Sequence, residues 1–543
     1  ARHFAKSSGN VASDSAMPDS PENNFATGLG AGLSESTNDQ SYIAATWSEG
    51  NLKMTPSSAA WNNGMSNFGM TSGKWYAEAK VVNIGPSGTY TRFGMRASPI
   101  RTYDEYFWLA GGNGQIDAAT SPYSARVGTY ANGNVLQIAL DLENNALYFG
   151  KNGTWENSAT TSEIAAGTVT NAFASGTTLI PTGDGFTYFF YFNMHGHGTA
   201  PIHIWNFGQD PSFAGEITAG TETPSEGAGV FKYAVPTGFK SLCSANIPEP
   251  TIGANSDTQA TDHFNTVLFT GGSGDVNVPV PFKPDWVWMK ARSNAQNHSV
   301  GDSSRGGEKF LSTSRTASEG NDVNELHFTD DGFTSNTDWH TNNYTYVAWN
   351  WKANGGVATA SASEVDNANP AYSQQANPTA GFSIITYTGT GANATIPHGL
   401  TLAPELIITK SRSDADHWYT YSKYAAASNP EQYELYLNLT SASYRDSSDN
   451  TRAWNATLPT TSVFSLGDTD GTNEDGDNYV AYCFHSVEGY SKFGSYTGNG
   501  DGDGSFVYTG FRPAFLMIKR TDTASPWVIF DNKRDGFNVN NDQ

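Results

Sequence analysis

Three phrases constrain this chain most: PDWVWMK at 284–290, PELIITK at 404–410 and PAFLMIK at 513–519. In each, a proline opens an apolar run and a lysine (Lys290, Lys410, Lys519) stands six positions later. Each follows an aromatic-Thr-Gly triplet: Phe269-Thr270-Gly271, Tyr387-Thr388-Gly389 and Tyr496-Thr497-Gly498. Beyond the lysines stand His298, Trp418 and Trp527, and the first two copies close on YVAWNW (346–351) and YVAYCF (479–484). A spacing of about a hundred residues is that of a domain, too long for a solenoid turn. Proline is tolerated at the start of a strand, where its missing N–H costs little. Val287, Ile407 and Leu516 are therefore expected on an apolar strand buried on both faces, with the lysine surfacing where the strand leaves the core. The phrase reads as an interior strand of a β-sandwich, copied.

The rest of the composition agrees. No stretch carries an apolar face at helical period over several turns. The 56 glycines and the 13% of aromatic residues suit pleated strands joined by tight turns. The fold class is all-β, several β-sandwich domains in tandem, because 543 residues exceed one core. Thirty Lys and Arg against 53 Asp and Glu give a net charge of −23, which repels phosphate backbones and anionic lipid. Nucleic-acid partners and membrane insertion are therefore not expected. Two cysteines, Cys243 and Cys483, are too few for a disulfide framework and read as buried thiols. The first fifteen residues hold no signal-peptide core, and the chain reads as a fragment, or the ordered part, of a longer polypeptide.

Composition shifts divide the chain. Residues 1–24 are small, polar and non-periodic, a flexible arm. Residues 25–246 hold strand-like runs (NLKMT, GKWYAEAKV, TRFGMR, NVLQIALDL, ALYFGKNGTW) and end in a strap, 216–246. Glu143-Asn144-Asn145 reads as the turn of a hairpin, since Asn accepts the left-handed conformation. Copy one spans 264–352, copy two 381–490, and 493–543 starts copy three. The stretch 353–380, small and polar with two Asn-Pro steps, reads as a linker.

GKWYAEAKV, NVLQIALDLENNALYFGKNGTW and IHIWNFGQDPSF (202–213), in that order, resemble the SPRY domain. The resemblance implies a concanavalin-like sandwich used for recognition, with variable loops and no shared catalytic residues. Such a sandwich followed by tandem repeats resembles tail-fibre and appendage proteins of marine tailed bacteriophages. That likeness implies a location on the virion surface, other virion proteins and a host surface polysaccharide or receptor as partners, and a homo-oligomer, with a trimer favoured.

Chemistry is sparse. Glu78, Glu105, Asp141 and Glu143 read as solvated acids, because no two form a hydrolase signature on one strand face. His195, His197 and His203 read as turn histidines. Asp468, Asp470, Asn473, Asp475 and Asp477 (GDTDGTNEDGDN) gather oxygens on one loop in a pattern calcium could use, though without an EF-hand's closing Glu. The plainer reading is a solvated hairpin tip, and NGDGDG (499–504) is a second such tip. No nucleophile elbow or phosphate loop is present, so no catalytic residue is named, the glycan-binding residues stay unassigned, and no cofactor beyond calcium is considered. The expected function is a non-enzymatic structural virion protein contributing to host-surface recognition. The alternatives are a secreted or cell-surface lectin, and a polysaccharide depolymerase.

Overall fold

The computed structural model describes residues 24–534, apart from 30–42, 86–90, 99–106, 112–115, 119–128, 177–179, 181–186, 197–199, 248–251, 254–257, 322–325, 359, 363–368, 446–451, 499 and 501–506. The arm at 1–23, Glu105, His197 and most of the 499–504 tip therefore lie outside the described residues. The described residues are almost wholly strand and turn. Their two α-helices are single short turns, Thr161–Ala165 and Asp470–Asn473. The all-β reading holds.

Two compact units divide the chain, residues 1–248 with 495–508 and residues 249–494 with 509–543. The first is a sandwich of a seven-stranded and a nine-stranded sheet. Lys74–Asn83 pairs with both Val135–Asp141 and Ile202–Asn206, and Val135–Asp141 continues into Ala146–Lys151. Asn145 takes φ +51° in that hairpin turn, as its short polar side chain allows. Trp75, Ile138, Leu140 and Trp205 of one sheet meet Met95, Phe190 and Phe192 of the other in one core.

In the second unit the phrase occupies matching places. Trp286–Ala291 lies between Thr345–Trp351 and Ser299–Asp302, with Trp286 opposite Trp351 and Asp302. Leu406–Ser411 lies between Asn478–Phe484 and Tyr419–Ser422, with Leu406 opposite Phe484 and Ser422. Phe515–Ile518 pairs with Val528–Asp531, with Phe515 opposite Asp531. Side chains alternate across a strand, so each phrase has two faces. Val287 and Met289 pack with Val278, Phe333 and Trp339 inside copy one, and Ile407 packs with Ile396, Phe464 and Leu466 inside copy two. The other faces (Trp286 and Trp288, Leu406 and Ile408, Phe515 and Met517) all meet in one core common to the three copies.

Three expectations are corrected here. Leu516 is 43% exposed, and so is its cross-strand neighbour Phe530 at 56%, because among the described residues no second sheet covers copy three. The lysines do not simply surface, and Lys410 is fully buried. Each caps the carbonyls that the turn after its strand leaves unpaired: Lys290 Nζ on Ala291 O (2.9 Å), Lys410 Nζ on Ser411 O and Asp414 O (2.6 and 2.9 Å), Lys519 Nζ on Arg520 O and Ser525 O (3.0 and 2.8 Å). Burial brings the Lys410 ammonium down to about 8. Finally, the stretch read as a linker supplies strands Ala360–Ala362 and Tyr372–Asn377, the latter paired along Phe382–Thr388. Its small polar residues suit a sheet margin, and Gln374 and Gln375 are buried there.

Candidate functional site

The groups with the most distinctive surroundings lie where copies one and two meet. Asp302 and Arg305 are both buried, three residues apart after the Ser299–Asp302 strand. Arg305 Nε donates to Asp302 Oδ2 at 2.5 Å and Nη1 to Glu319 Oε2 at 3.0 Å. Arg412 of copy two grips both oxygens of the same Glu319 at 2.9 Å each, a bidentate pair. Tyr482 of copy two donates its hydroxyl to Asp302 Oδ2 at 2.7 Å. Burial works against the Arg305 charge, but Asp302, Tyr482 and Glu319 outweigh it and hold the guanidinium above its ordinary value. Burial alone would raise the Glu319 carboxyl, yet its two guanidinium partners hold it below the usual range.

Copy three repeats the motif. Arg534 Nε donates to Asp531 Oδ2 at 2.6 Å, and Trp349 of copy one donates its indole N–H to that oxygen at 3.1 Å. Trp349 and Tyr482 hold matching positions in the closing phrases YVAWNW and YVAYCF. The aromatic residues after the lysines also stitch neighbours together. Trp418 Nε1 donates to Ser312 O of copy one (2.9 Å), and Trp527 Nε1 to Tyr436 O of copy two (3.0 Å). In copy one the counterpart, His298, accepts from Trp288 Nε1 at 2.9 Å.

Beside Arg412 opens a hollow of about 220 Å³ lined by Tyr372, Ser373, Thr386, Thr388, Arg412 and Asn478. Its lining is hydroxyl and amide, with one guanidinium already committed to Glu319. It can hydrogen-bond a neutral polar group, but it holds no nucleophile beside a base and no pair of carboxylates.

The five residues of the acidic loop differ in burial. Asp468, Asp470 and Asp475 are exposed, Asp477 is half-buried, and Asn473 is fully buried. Asn473 Oδ1 accepts from Thr390 N (2.9 Å) and its Nδ2 donates to Ala392 O, so its amide fastens the turn at 390–392 that follows Gly389. Gly389 is needed there, because a Cβ on it would lie 2.1 Å from Glu474 O; a Cβ on Gly271 would lie 2.2 Å from Thr341 O in copy one. The same corner is thus built twice. Glu474 N donates to Tyr479 Oη, as Thr341 N donates to Tyr346 Oη, both at 2.8 Å. Among the described residues, no three His, Cys, Asp or Glu side chains gather as a metal ion needs. Asn473→Ala is expected to destabilise this corner by about 1–3 kcal/mol through buried groups left unpaired, read as a lower denaturation midpoint. Chelation of calcium is expected to leave the midpoint unchanged.

In the first unit two of the acids read as solvated, Asp141 and Glu78, are corrected, while Glu143 is exposed as expected. Asp141 is buried and receives Lys74 Nζ at 3.3 Å and Asn144 N at 2.9 Å. Glu78, also buried, accepts from Tyr76 Oη (2.9 Å), Lys232 N (2.8 Å) and Tyr233 N (2.9 Å), pinning the strap to the sandwich. Asp141 lies opposite Lys74, four residues along the strand from Glu78. That separation is roughly 13 Å at the rise of a strand, beyond the roughly 5–9.5 Å of glycosidase carboxyl pairs. His203 stands in a strand, and its Nε2 lies 2.7 Å from Thr91 Oγ1. Burial brings its imidazole down to about 4. Cys243 and Cys483 are free and buried. The seam between copies was missed because Asp302 and Arg305 look like any i,i+3 surface pair; its one sequence signal is the same Asp-x-x-Arg spacing at Asp531 and Arg534.

Burial pushes the Glu78 carboxyl up to about 7, and its hydrogen bonds from Lys232, Tyr233, Tyr76 and Asn206 offset this only partly. Between the ordinary carboxyl range and pH 7 the unfolded chain gives up this proton while the folded chain keeps it, so stability falls as pH rises. The first unit is expected to lose on the order of 3 kcal/mol from this group between pH 4 and 8. Glu78→Gln should flatten that part of the thermal-denaturation profile; an unchanged profile would assign the dependence elsewhere.

The second unit is built of copied sheets around one core, with polar seams where the copies meet. The chain belongs to the family described as Domain of unknown function (DUF7483), which matches residues 259–543, just over half of it. Solved structures similar to part of the chain are SPRY domains. That of human HERC1 is 15% identical, with 30% of this chain and 91% of that one covered and a TM-score of 0.24. A second human SPRY domain is 11% identical, with 28% and 90% covered and a TM-score of 0.20. No curated protein matches the chain.

Proposed function

We propose that this chain is a non-enzymatic structural protein of a bacteriophage particle, part of a tail fibre or other surface appendage, whose exposed loops contribute to recognition of a host-surface glycan. The observation that carries the reading is the common core of the three copies. It spends length on reach and surface while placing buried charge in seams, where it holds sheets together. The sequence resemblance to SPRY domains and to appendage proteins supports the same reading, as does the net charge of −23, which disfavours genome handling. Repeated weak sites on an oligomer gain avidity through effective concentration, which suits adhesion.

The test incubates purified protein with host cells and with their isolated surface polysaccharide. Retention on cells with the polysaccharide intact supports the proposal. Release of oligosaccharides would replace it with a depolymerase, and absence of retention would remove the recognition role.

A further inference from the structure

Copies one and two differ at one sheet margin. In copy two, strand Phe382–Thr388 is flanked on one side by Asn478–Phe484 and on the other by Tyr372–Asn377, which runs antiparallel to it. The matching strand of copy one, Phe264–Thr270, pairs with Thr345–Trp351 on one side, and no described strand pairs with its other side. The difference shows in burial. Ile385 and Phe382 are buried, whereas their counterparts Val267 and Phe264 are only half-buried, and Leu268 is 39% exposed. Unpaired strand margins normally carry a lysine, a proline or a bulge that blocks pairing with another chain. FNTVLFT has none of these, and its pairing register with Thr345–Trp351 is unbroken.

We propose that the free edge of Phe264–Thr270 pairs with the same edge of a second copy of this chain, forming one continuous antiparallel sheet across a two-fold axis. Two observations favour a second copy. Antiparallel is the arrangement that Tyr372–Asn377 uses on the matching edge, and it is the arrangement a two-fold axis imposes on two identical strands. The chain carries a net charge of −23, so two copies approach best along a surface without charge, and residues 263–274 contain no Asp, Glu, Lys or Arg. The pairing satisfies the row of outward backbone N–H and C=O groups on both strands.

The full chain, measured by light scattering after size exclusion at physiological salt, is expected at twice the chain mass. Hydrogen exchange should show the outward-facing amides of 264–270, those not bonded to Thr345–Trp351, protected in that species. Leu268→Lys, at a position already partly in solvent, should return the protein to single-chain mass with unchanged circular dichroism. A single-chain or three-chain mass for the wild type overturns the proposal. So does a two-chain species whose outward-facing 264–270 amides exchange freely, a measurement that decides the matter even if the lysine variant fails to fold.

Discussion

Arg305→Ala is expected to lower the stability of the second unit by about 3–5 kcal/mol. The side chain is fully buried, and its removal strands the Asp302 carboxylate and takes one of two guanidinium partners from Glu319. Asp302, itself fully buried, loses its 2.5 Å partner, and Glu319 keeps only Arg412. Breaking a buried ion pair from one side costs far more than replacing the pair with apolar groups, because the remaining charge stays desolvated. The double variant Asp302→Leu with Arg305→Leu is therefore expected to be more stable than Arg305→Ala alone. Urea denaturation followed by tryptophan fluorescence measures both; equal losses would show that the stranded charge is not the cause.

Trp286→Ala is expected to cost a similar amount, about 3–5 kcal/mol, through lost transfer energy and the cavity left behind. Trp286 is 1% exposed and stacks on Tyr482 of copy two with centroids 4.4 Å apart and planes 19° from parallel. It also lies 5.9 Å from the Phe382 ring of copy two and 4.5 Å from Trp351 of its own copy. The cavity would open in the core common to the copies. The loss should therefore appear in copy two as well as copy one, with a lower midpoint but one cooperative transition. A variant in which copy two keeps its full stability would mean that the copies are separate domains in contact.

Much of this was legible in the sequence. The Pro-to-Lys phrases marked interior strands because a run such as Trp286-Val287-Trp288-Met289 is apolar on both faces, and only a strand covered on both sides tolerates that. The Glu143–Asn145 turn was legible because Asn accepts a positive φ. Which partner covers each face was not legible. Alternation shows that Trp286 and Val287 point opposite ways, but not that one meets another copy. The lysines misled because a charged side chain at a strand end ordinarily reaches water, whereas here a turn offers carbonyls within reach. Residues 353–380 misled because polarity and Asn-Pro steps suggest a loop, yet backbone pairing with Phe382–Thr388 asks little of side chains. Glu78 and Asp141 misled because burial of an acid depends on partners distant in sequence, Lys232 and Tyr233 for Glu78. The acidic loop was read as a solvated tip with calcium as the alternative because its spacing of oxygens was visible, while its match to the corner at 336–346 of copy one rests on backbone geometry.

The central claim, that copies one and two are built around one core and fold as one body, is tested most directly by native-state hydrogen exchange under rising denaturant. The amides of Trp286–Ala291, Leu406–Ser411 and Asn478–Phe484 lie in interior strands whose side chains meet in that core. They should converge on a single opening free energy and a single denaturant dependence, the signature of one cooperative unit. Two separate isotherms, with Trp286–Ala291 opening independently of Leu406–Ser411 and Asn478–Phe484, would contradict the account.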